Sequence, residues 1–324
     1  MDSLTAISFN THTFGPSIVN GVTTAGLYGL IAVAMVLSYR ISRTVAFVHG
    51  GIVLSGTLLY WYLTAKNLNT GNALLEGSGQ ATNRPELNKW LVMFMLMAAG
   101  AAVAAVYGFL VTSTKLALYP RVTLTNFSLA MMLLLLGVLF KYNTASGEPT
   151  DSPFGKGKFH IGIQAVTIHQ LMTLIILASI VIGFTILLQA TRFGIFVRAV
   201  ADNVEASKLV GVPIGTVGTT VYAISGAISA LGGILLGNYV GTDTNSILFV
   251  FLRALIVCVL GAFSSIPLAL AGAVTLAILD SMLKSDVFGV VDVGYREVIV
   301  VAFLFSIVLL IDRYGKKGTS VLAH

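Results

Sequence analysis

The sequence predicts an all-α, polytopic integral membrane protein. It has about eight to nine transmembrane or re-entrant helices and one short helix presented between two of them. Three observations carry this. Of 324 residues, 56% are hydrophobic and only 10% are charged, against about 25% charged in an ordinary soluble domain. The mean hydropathy is +0.91. The apolar residues are gathered into long runs, and the ~10-residue alternating segments of an outer-membrane barrel are absent.

In chain order the apolar runs fall at 17–39, 44–64, 90–113, 124–142, 165–190, 214–237, 245–263, 266–281 and 294–311. Most are long enough to cross about 30 Å of hydrocarbon at about 1.5 Å per residue. Helices are required because an open chain in lipid must satisfy its own backbone hydrogen bonds. The eighth run is short, about 24 Å as a helix. It opens on Ile266-Pro267 after Ser264-Ser265, which predicts a tilted, broken or re-entrant segment. Tyr60, Trp61, Tyr62 and Trp90 flank the loop 65–89 and read as an interfacial aromatic belt. Residues 1–17 hold no Lys or Arg, so no cleaved signal peptide is expected and the first run should remain in the mature chain.

The formal net charge is +6. The basic residues stand singly between apolar runs, so loop orientation explains them better than nucleic acid. Residues 191–213 carry Arg192, Arg198 and Lys208, and the tail 312–324 carries Arg313, Lys316 and Lys317. Placing both in the cytoplasm also puts Arg40, Arg43, Lys115 and Arg121 inside and the amino terminus outside.

Much chemistry is excluded. Gly155-Lys156-Gly157-Lys158 lacks the spacing and hydroxyl residue of a phosphate loop, so the chain shows no nucleotide hydrolysis of its own. Hydrolase motifs are missing too. Cys258 is the one cysteine, which rules out an internal disulfide or a cysteine metal cluster. His12, His160 and His169 lack metal-ligand spacing and read as surface residues. No cofactor is expected on this chain.

The informative stretch is 191–213. It reads as a short helix with its own start and stop: Asp202 as N-cap, Glu205 as the acidic partner of a capping box, Lys208 in the last turn, Gly211 in the left-handed closing position and Pro213 beyond. Facing the cytoplasm between two spans, it is either a dock for a soluble partner or a solvated re-entry loop. Within the membrane, Arg253 falls inside 245–263 and Asp280 near the end of 266–281. A charge at that depth costs about 2.5–3.5 kcal/mol on insertion scales, so each should meet a partner or the solute pathway. Arg253 with Asp280 is the natural pairing. His49 with Gly50-Gly51 marks either a helix break open to the pathway or a tight helix contact with His49 hydrogen-bonded. The run 225–233 is rich in small residues and reads as close helix packing.

Glu205-Ala206-Ser207 followed by Gly211 resembles the Glu-Ala-Ala-x-x-x-Gly loop of ABC importer permeases. Thr191-Arg192-Phe193-Gly194, Arg198-Ala199, Phe47-Val48-His49-Gly50, Asn20-Gly21 with Tyr28-Gly29-Leu30-Ile31-Ala32, Leu252-Arg253-Ala254 and the run 260–267 are similar to the first, shorter permease of branched-chain amino acid importers. Arg253 stands where that family usually has Lys, and Ala262 and Ser264 where it has Gly. The resemblance implies a single permease domain over 1–324 in a bacterial inner membrane. It implies a second permease subunit, two cytoplasmic ATPases that bind ATP and Mg, and an extracytoplasmic substrate-binding protein. The solutes implied are branched-chain or hydrophobic amino acids or related small carboxylates and amides. It places Arg198, Asp202, Glu205, Ala206, Lys208 and Gly211 at the ATPase contact, and leaves His49, Gly50, Arg253 and Asp280 as candidates for the solute path or its gate. An ion-gradient-driven secondary transporter is the alternative, and a non-transporting membrane scaffold a third.

Overall fold

The computed structural model describes residues 11–64, 87–142, 149–155, 157–161, 164–261, 263, 265–285, 298–300, 302, 303 and 306. They form α1 (Thr11–Ser42), α2 (Val48–Thr64), α3 (Lys89–Ser113), α4 (Arg121–Tyr142), strands β1 (Lys158–Ile161) and β2 (Gln164–Thr167), α5 (Ile168–Ala190), α6 (Arg192–Asp202), α7 (Val204–Leu209), α8 (Ile214–Val240), α9 (Thr244–Leu260) and α10 (Ile266–Lys284). A single 3-10 turn, Lys115–Leu118, joins α3 to α4. Six of these helices are long and apolar enough to cross a membrane, and α2 and α9 are shorter at 17 residues each. The run 294–311 and the tail 312–324 lie almost wholly outside the described residues.

Helix α8 is the axis of the bundle, with α1, α2 and α3 packed along it. Helix α10 lies against α1, α9 against α1 and α10, and α4 against α2. The most apolar windows of α1 and α8 are 94% and 78% buried, while those of α4 and α5 are 22% and 17%, so the first pair is core and the second faces outward. One end of the bundle carries α6 and α7 (the loop end). The other carries the β1–β2 hairpin (the hairpin end).

Three expectations change. The span read from 165 starts instead at Ile168, because 164–167 pair antiparallel with 158–161, Phe159 opposite Val166. Thr167 then starts α5 through a capping box with Gln170. The eighth run is an unbroken 19-residue helix, capped by Ser265 and extended past Asp280 to Lys284, about 28 Å long. The aromatic belt is only partial: Trp90 is exposed, but Tyr60 and Trp61 are buried in the bundle.

Close approach to α8 depends on glycine. A Cβ on Gly100 would lie 2.6 Å from the Ala230 Cβ and 2.9 Å from the Gly226 carbonyl, and one on Gly56 would lie 2.7 Å from the Ala230 carbonyl. Lipid offers no hydrophobic drive for helix association, so van der Waals contact between backbones must supply it. Gly137 on outward-facing α4 has nothing within 4 Å of its Cβ position. Gly100→Val should therefore lower the thermal stability of the detergent-solubilised protein by about 1–3 kcal/mol. Gly137→Ala should leave it unchanged or raise it by up to about 1 kcal/mol.

Candidate functional site

The chain turns from α5 into the loop end at Thr191. Its hydroxyl donates to the Leu187 carbonyl at 2.6 Å and accepts from Gly194 N–H at 3.1 Å, so one side chain closes α5 and opens α6. A Cβ at Gly194 would strike the Leu187 and Leu188 carbonyls, so the corner needs glycine. Helix α6 buries Gly194, Val197 and Val200 and exposes Arg192, Ile195, Phe196 and Arg198.

The predicted single helix is two. Asp202 is not an N-cap: it is the exposed last residue of α6, and Asn203 caps α7, its side-chain oxygen accepting from Ala206 N–H at 3.0 Å. With the cap one residue later, Glu205 and Ala206 move to the second and third positions of α7, so Glu205 makes no capping box, and its carboxylate is exposed at the positive end of the helix. Lys208 does lie in the last turn. Gly211 has φ +82°, with Val212 N–H donating to the Ser207 carbonyl at 3.0 Å, a Schellman closure that requires the left-handed residue. The turn leaves Leu209 and Val210 at 89% and 78% exposure, two apolar side chains at the tip of the loop.

The loop is fastened to α1. Arg43, at φ +54°, reaches from the α1–α2 turn and its Nη2 donates to the Ala201 carbonyl in the last turn of α6. A cation there complements the helix dipole. Beside it, the Tyr39 ring of α1 lies 4.7 Å from that of Phe263 in the α9–α10 turn.

Deeper in the bundle, α1, α9 and α10 share a charged cluster. Arg253 Nη1 lies 3.1 Å from Asp280 Oδ1 and donates to the Tyr28 hydroxyl at 3.3 Å. That hydroxyl donates to Asp280 Oδ2 at 2.9 Å, and Lys284 Nζ lies 2.8 Å from the same oxygen. Arg253 and Asp280 are buried, while Lys284 reaches the hairpin end, 5.6 Å above the Tyr239 ring of α8. The carboxylate accepts from three donors on three helices, which makes the charge tolerable at this depth. The sequence reading takes Tyr28 only as part of a family motif and passes over Lys284, one turn beyond Asp280.

His49 is the second residue of α2, directly after the non-helical turn 43–47, and its ring is buried. Its Nδ1 is 2.9 Å from the Ser229 hydroxyl and its Nε2 3.5 Å from that of Ser225, both on α8. Gly50 faces the Phe251 ring, which a Cβ would overlap at 2.7 Å. Both residues belong to a tight α2–α8–α9 contact. His169, read as a surface residue, is also buried: its Nε2 is 2.8 Å from the Leu235 carbonyl and its Nδ1 3.0 Å from the Ser152 hydroxyl. At the hairpin end Asp243 caps α9, and hydrogen bonds from the Ser246 hydroxyl and backbone hold its carboxyl below the usual carboxylate range. No group of three or more His, Cys, Asp or Glu side chains suited to a metal occurs among the described residues.

The structure thus separates the predicted residues into three places. Arg198, Asp202, Glu205, Ala206, Lys208 and Gly211 gather at the loop end. Arg253 and Asp280 meet in the bundle interior, with His49 and Gly50 in a separate seam.

A family described as "Branched-chain amino acid transport system / permease component" matches residues 17–311. The chain is similar to the high-affinity branched-chain amino acid transport system permease protein LivH of Escherichia coli K12, 24% identical over 320 residues covering 94% of this chain and 96% of the relative. It is similar to the corresponding permease protein BraD of Pseudomonas aeruginosa, 23% identical over 302 residues, 90% and 92% of the two chains. The galactose/methyl galactoside import permease protein MglC of E. coli K12 is 29% identical over 238 residues, 70% of this chain and 68% of its own. No solved structure matches the chain. With nearly its whole length matched by one profile, the chain belongs to the permease-component family of branched-chain amino acid transport systems, the membrane-spanning subunits of ABC importers.

Proposed function

We propose that this chain is the non-catalytic membrane subunit of an ATP-driven importer in a bacterial cytoplasmic membrane, with α6–α7 docking on an ATPase subunit. The observation that carries the reading is the loop end itself. A capped six-residue helix between two spans presents exposed Glu205, Leu209 and Val210, while α6 is fastened to α1. An apolar tip ringed by charge fits a cleft on a soluble partner better than it fits water. ATP and Mg would be held by two partner ATPases, and solute delivered by an extracytoplasmic binding protein. The second permease would be a related but different chain.

Orientation follows from charge. Among the described residues, Arg40, Arg43, Lys115, Arg121, Arg192, Arg198 and Lys208 lie at the loop end, against Lys89, Lys141, Lys158 and Lys284 at the hairpin end. That excess supports a cytoplasmic loop end, with the amino terminus outside and the carboxyl terminus inside. For the solute, near-complete coverage of LivH and BraD supports a branched-chain or hydrophobic amino acid, or a related small carboxylate or amide, over a sugar.

In this reading ATP binding draws the ATPases together and moves α6–α7. Arg43 passes the motion to α1, and α1 to the Arg253–Asp280–Tyr28 cluster. The cluster holds α1, α9 and α10 as one body in either state, a tie of the kind a rigid-body shift requires. Reconstituted with its partners, the chain should import solute only with ATP. Import by the chain alone, driven by an ion gradient, would support the secondary-transporter reading instead. Glu205→Ala and Leu209→Asp should each cut co-purified ATPase about tenfold or more, since an interface anchor is worth about 2 kcal/mol, while the variant chain still inserts. Asp280→Ala should destabilise the bundle by about 3–5 kcal/mol by stranding Arg253, and adding Arg253→Met should recover part of the loss. Thermal unfolding of the single and double variants in detergent reads both values.

A further inference from the structure

At the loop end a second polar feature lies beside the coupling turn. A cleft of about 560 Å³ opens between the end of α3, the 3-10 turn Lys115–Leu118 and the α7–α8 corner, lined by Ser113, Thr114, Lys115, Lys208, Val212 and Gly215 among others. Its inner wall is fixed: the Thr112 hydroxyl donates to the Gly108 carbonyl at 2.7 Å and to the Gly215 carbonyl at 3.4 Å, bridging α3 to α8. The mouth holds two ammonium groups. Both lysines are exposed, and neither is in an ion pair among the described residues. Glu205, one turn back on α7, is the acidic side chain on the helix that carries Lys208.

The surroundings say what kind of anion fits. The cleft lies at the level where α3 ends and α8 begins, the border of the spans. Leu118, Tyr119 and Val122 stand exposed next to it, at 81%, 56% and 70%, and Phe109 and Val106 continue the apolar surface one and two turns down α3. An aromatic and aliphatic skirt running from a dibasic notch into the hydrocarbon level fits a molecule with an anionic head and an apolar tail. A soluble ATPase would meet the cations but leave that skirt unused.

The geometry points to a binding site for an anionic phospholipid in this cleft, its phosphate held by Lys115 and Lys208 and its acyl chains laid along the α3–α4 face. The site does not rest on the transport reading, because it requires only the bundle and a bilayer. A lipid seated there braces the α7–α8 corner against α3, so the position of that corner depends on membrane composition.

The test is native mass spectrometry of the delipidated full chain titrated with dioleoylphosphatidylglycerol or dioleoylphosphatidylcholine. Phosphatidylglycerol should bind more tightly. Lys115→Gln should weaken it about fivefold, the worth of one basic residue near an anionic lipid, with phosphatidylcholine unchanged and Lys115→Arg retaining the wild-type affinity. Equal binding of the two lipids, or a Lys115→Gln chain that binds phosphatidylglycerol as wild type does, overturns the proposal. Displacement of the lipid by millimolar inorganic phosphate would show a free-phosphate site and overturn the lipid assignment. Loss of ATPase association in Lys115→Gln with lipid binding intact would show a protein contact and overturn it equally.

Discussion

Everything in this bundle depends on how closely other helices can approach α8. Gly226, Gly233 and Gly237 leave its backbone bare, so α3, α2 and the segment at Thr150 come to van der Waals distance of main chain. The Thr57 hydroxyl donates to the Gly233 carbonyl at 2.6 Å, and Asn238 Nδ2 to the Thr150 carbonyl at 2.7 Å. In a bilayer such contacts replace the hydrophobic drive that organises a soluble core. They leave α8 a fixed axis against which other parts can be moved.

What can move is set by the polar ties. Helix α1 is held to α10 near its start, where Ser17 and Ser285 hydroxyls lie 2.6 Å apart, at mid-length by Tyr28, and at its end by Tyr39 against Phe263. These three levels make α1, α9 and α10 one body. Arg43 joins that body to α6. In the proposed reading, a push on the exposed tip at Leu209 and Val210 travels through these ties into the charged cluster. His49 and its serines, by contrast, stiffen the α2–α8 seam without lying on that route.

Much of this was legible in the sequence, because lipid restricts the grammar. Spans follow from composition, and a buried arginine and a buried aspartate in neighbouring spans have few partners besides each other. Gly211 could be read because a positive φ is something few other residues can supply, whereas the double cap at Thr191 shows only in the structure. Other features were hidden for physical reasons. Asp202 and Asn203 are adjacent and both are good caps, so residue type could not choose between them. Phe159 facing Val166 is a pairing of two four-residue strands, too short for periodicity to separate from the helix that follows. Arg43, Tyr28 and Lys284 matter through tertiary proximity alone. Leu209 and Val210 look like core residues in sequence, and only the turn around Gly211 reveals that they point outward.

The mechanical claim turns on Arg43. Its positive φ means that Arg43→Gly keeps the backbone turn while removing the side chain that carries the guanidinium, so that variant tests the tie between α6 and α1. The most direct measurement is solute uptake per ATP hydrolysed by the fully assembled transporter in proteoliposomes carrying Arg43→Gly. The account predicts normal assembly and retained basal ATP turnover, with uptake per ATP reduced about threefold or more, the loss of one charged hydrogen bond from the coupling path. Unchanged uptake per ATP in a complex that assembles normally would contradict it.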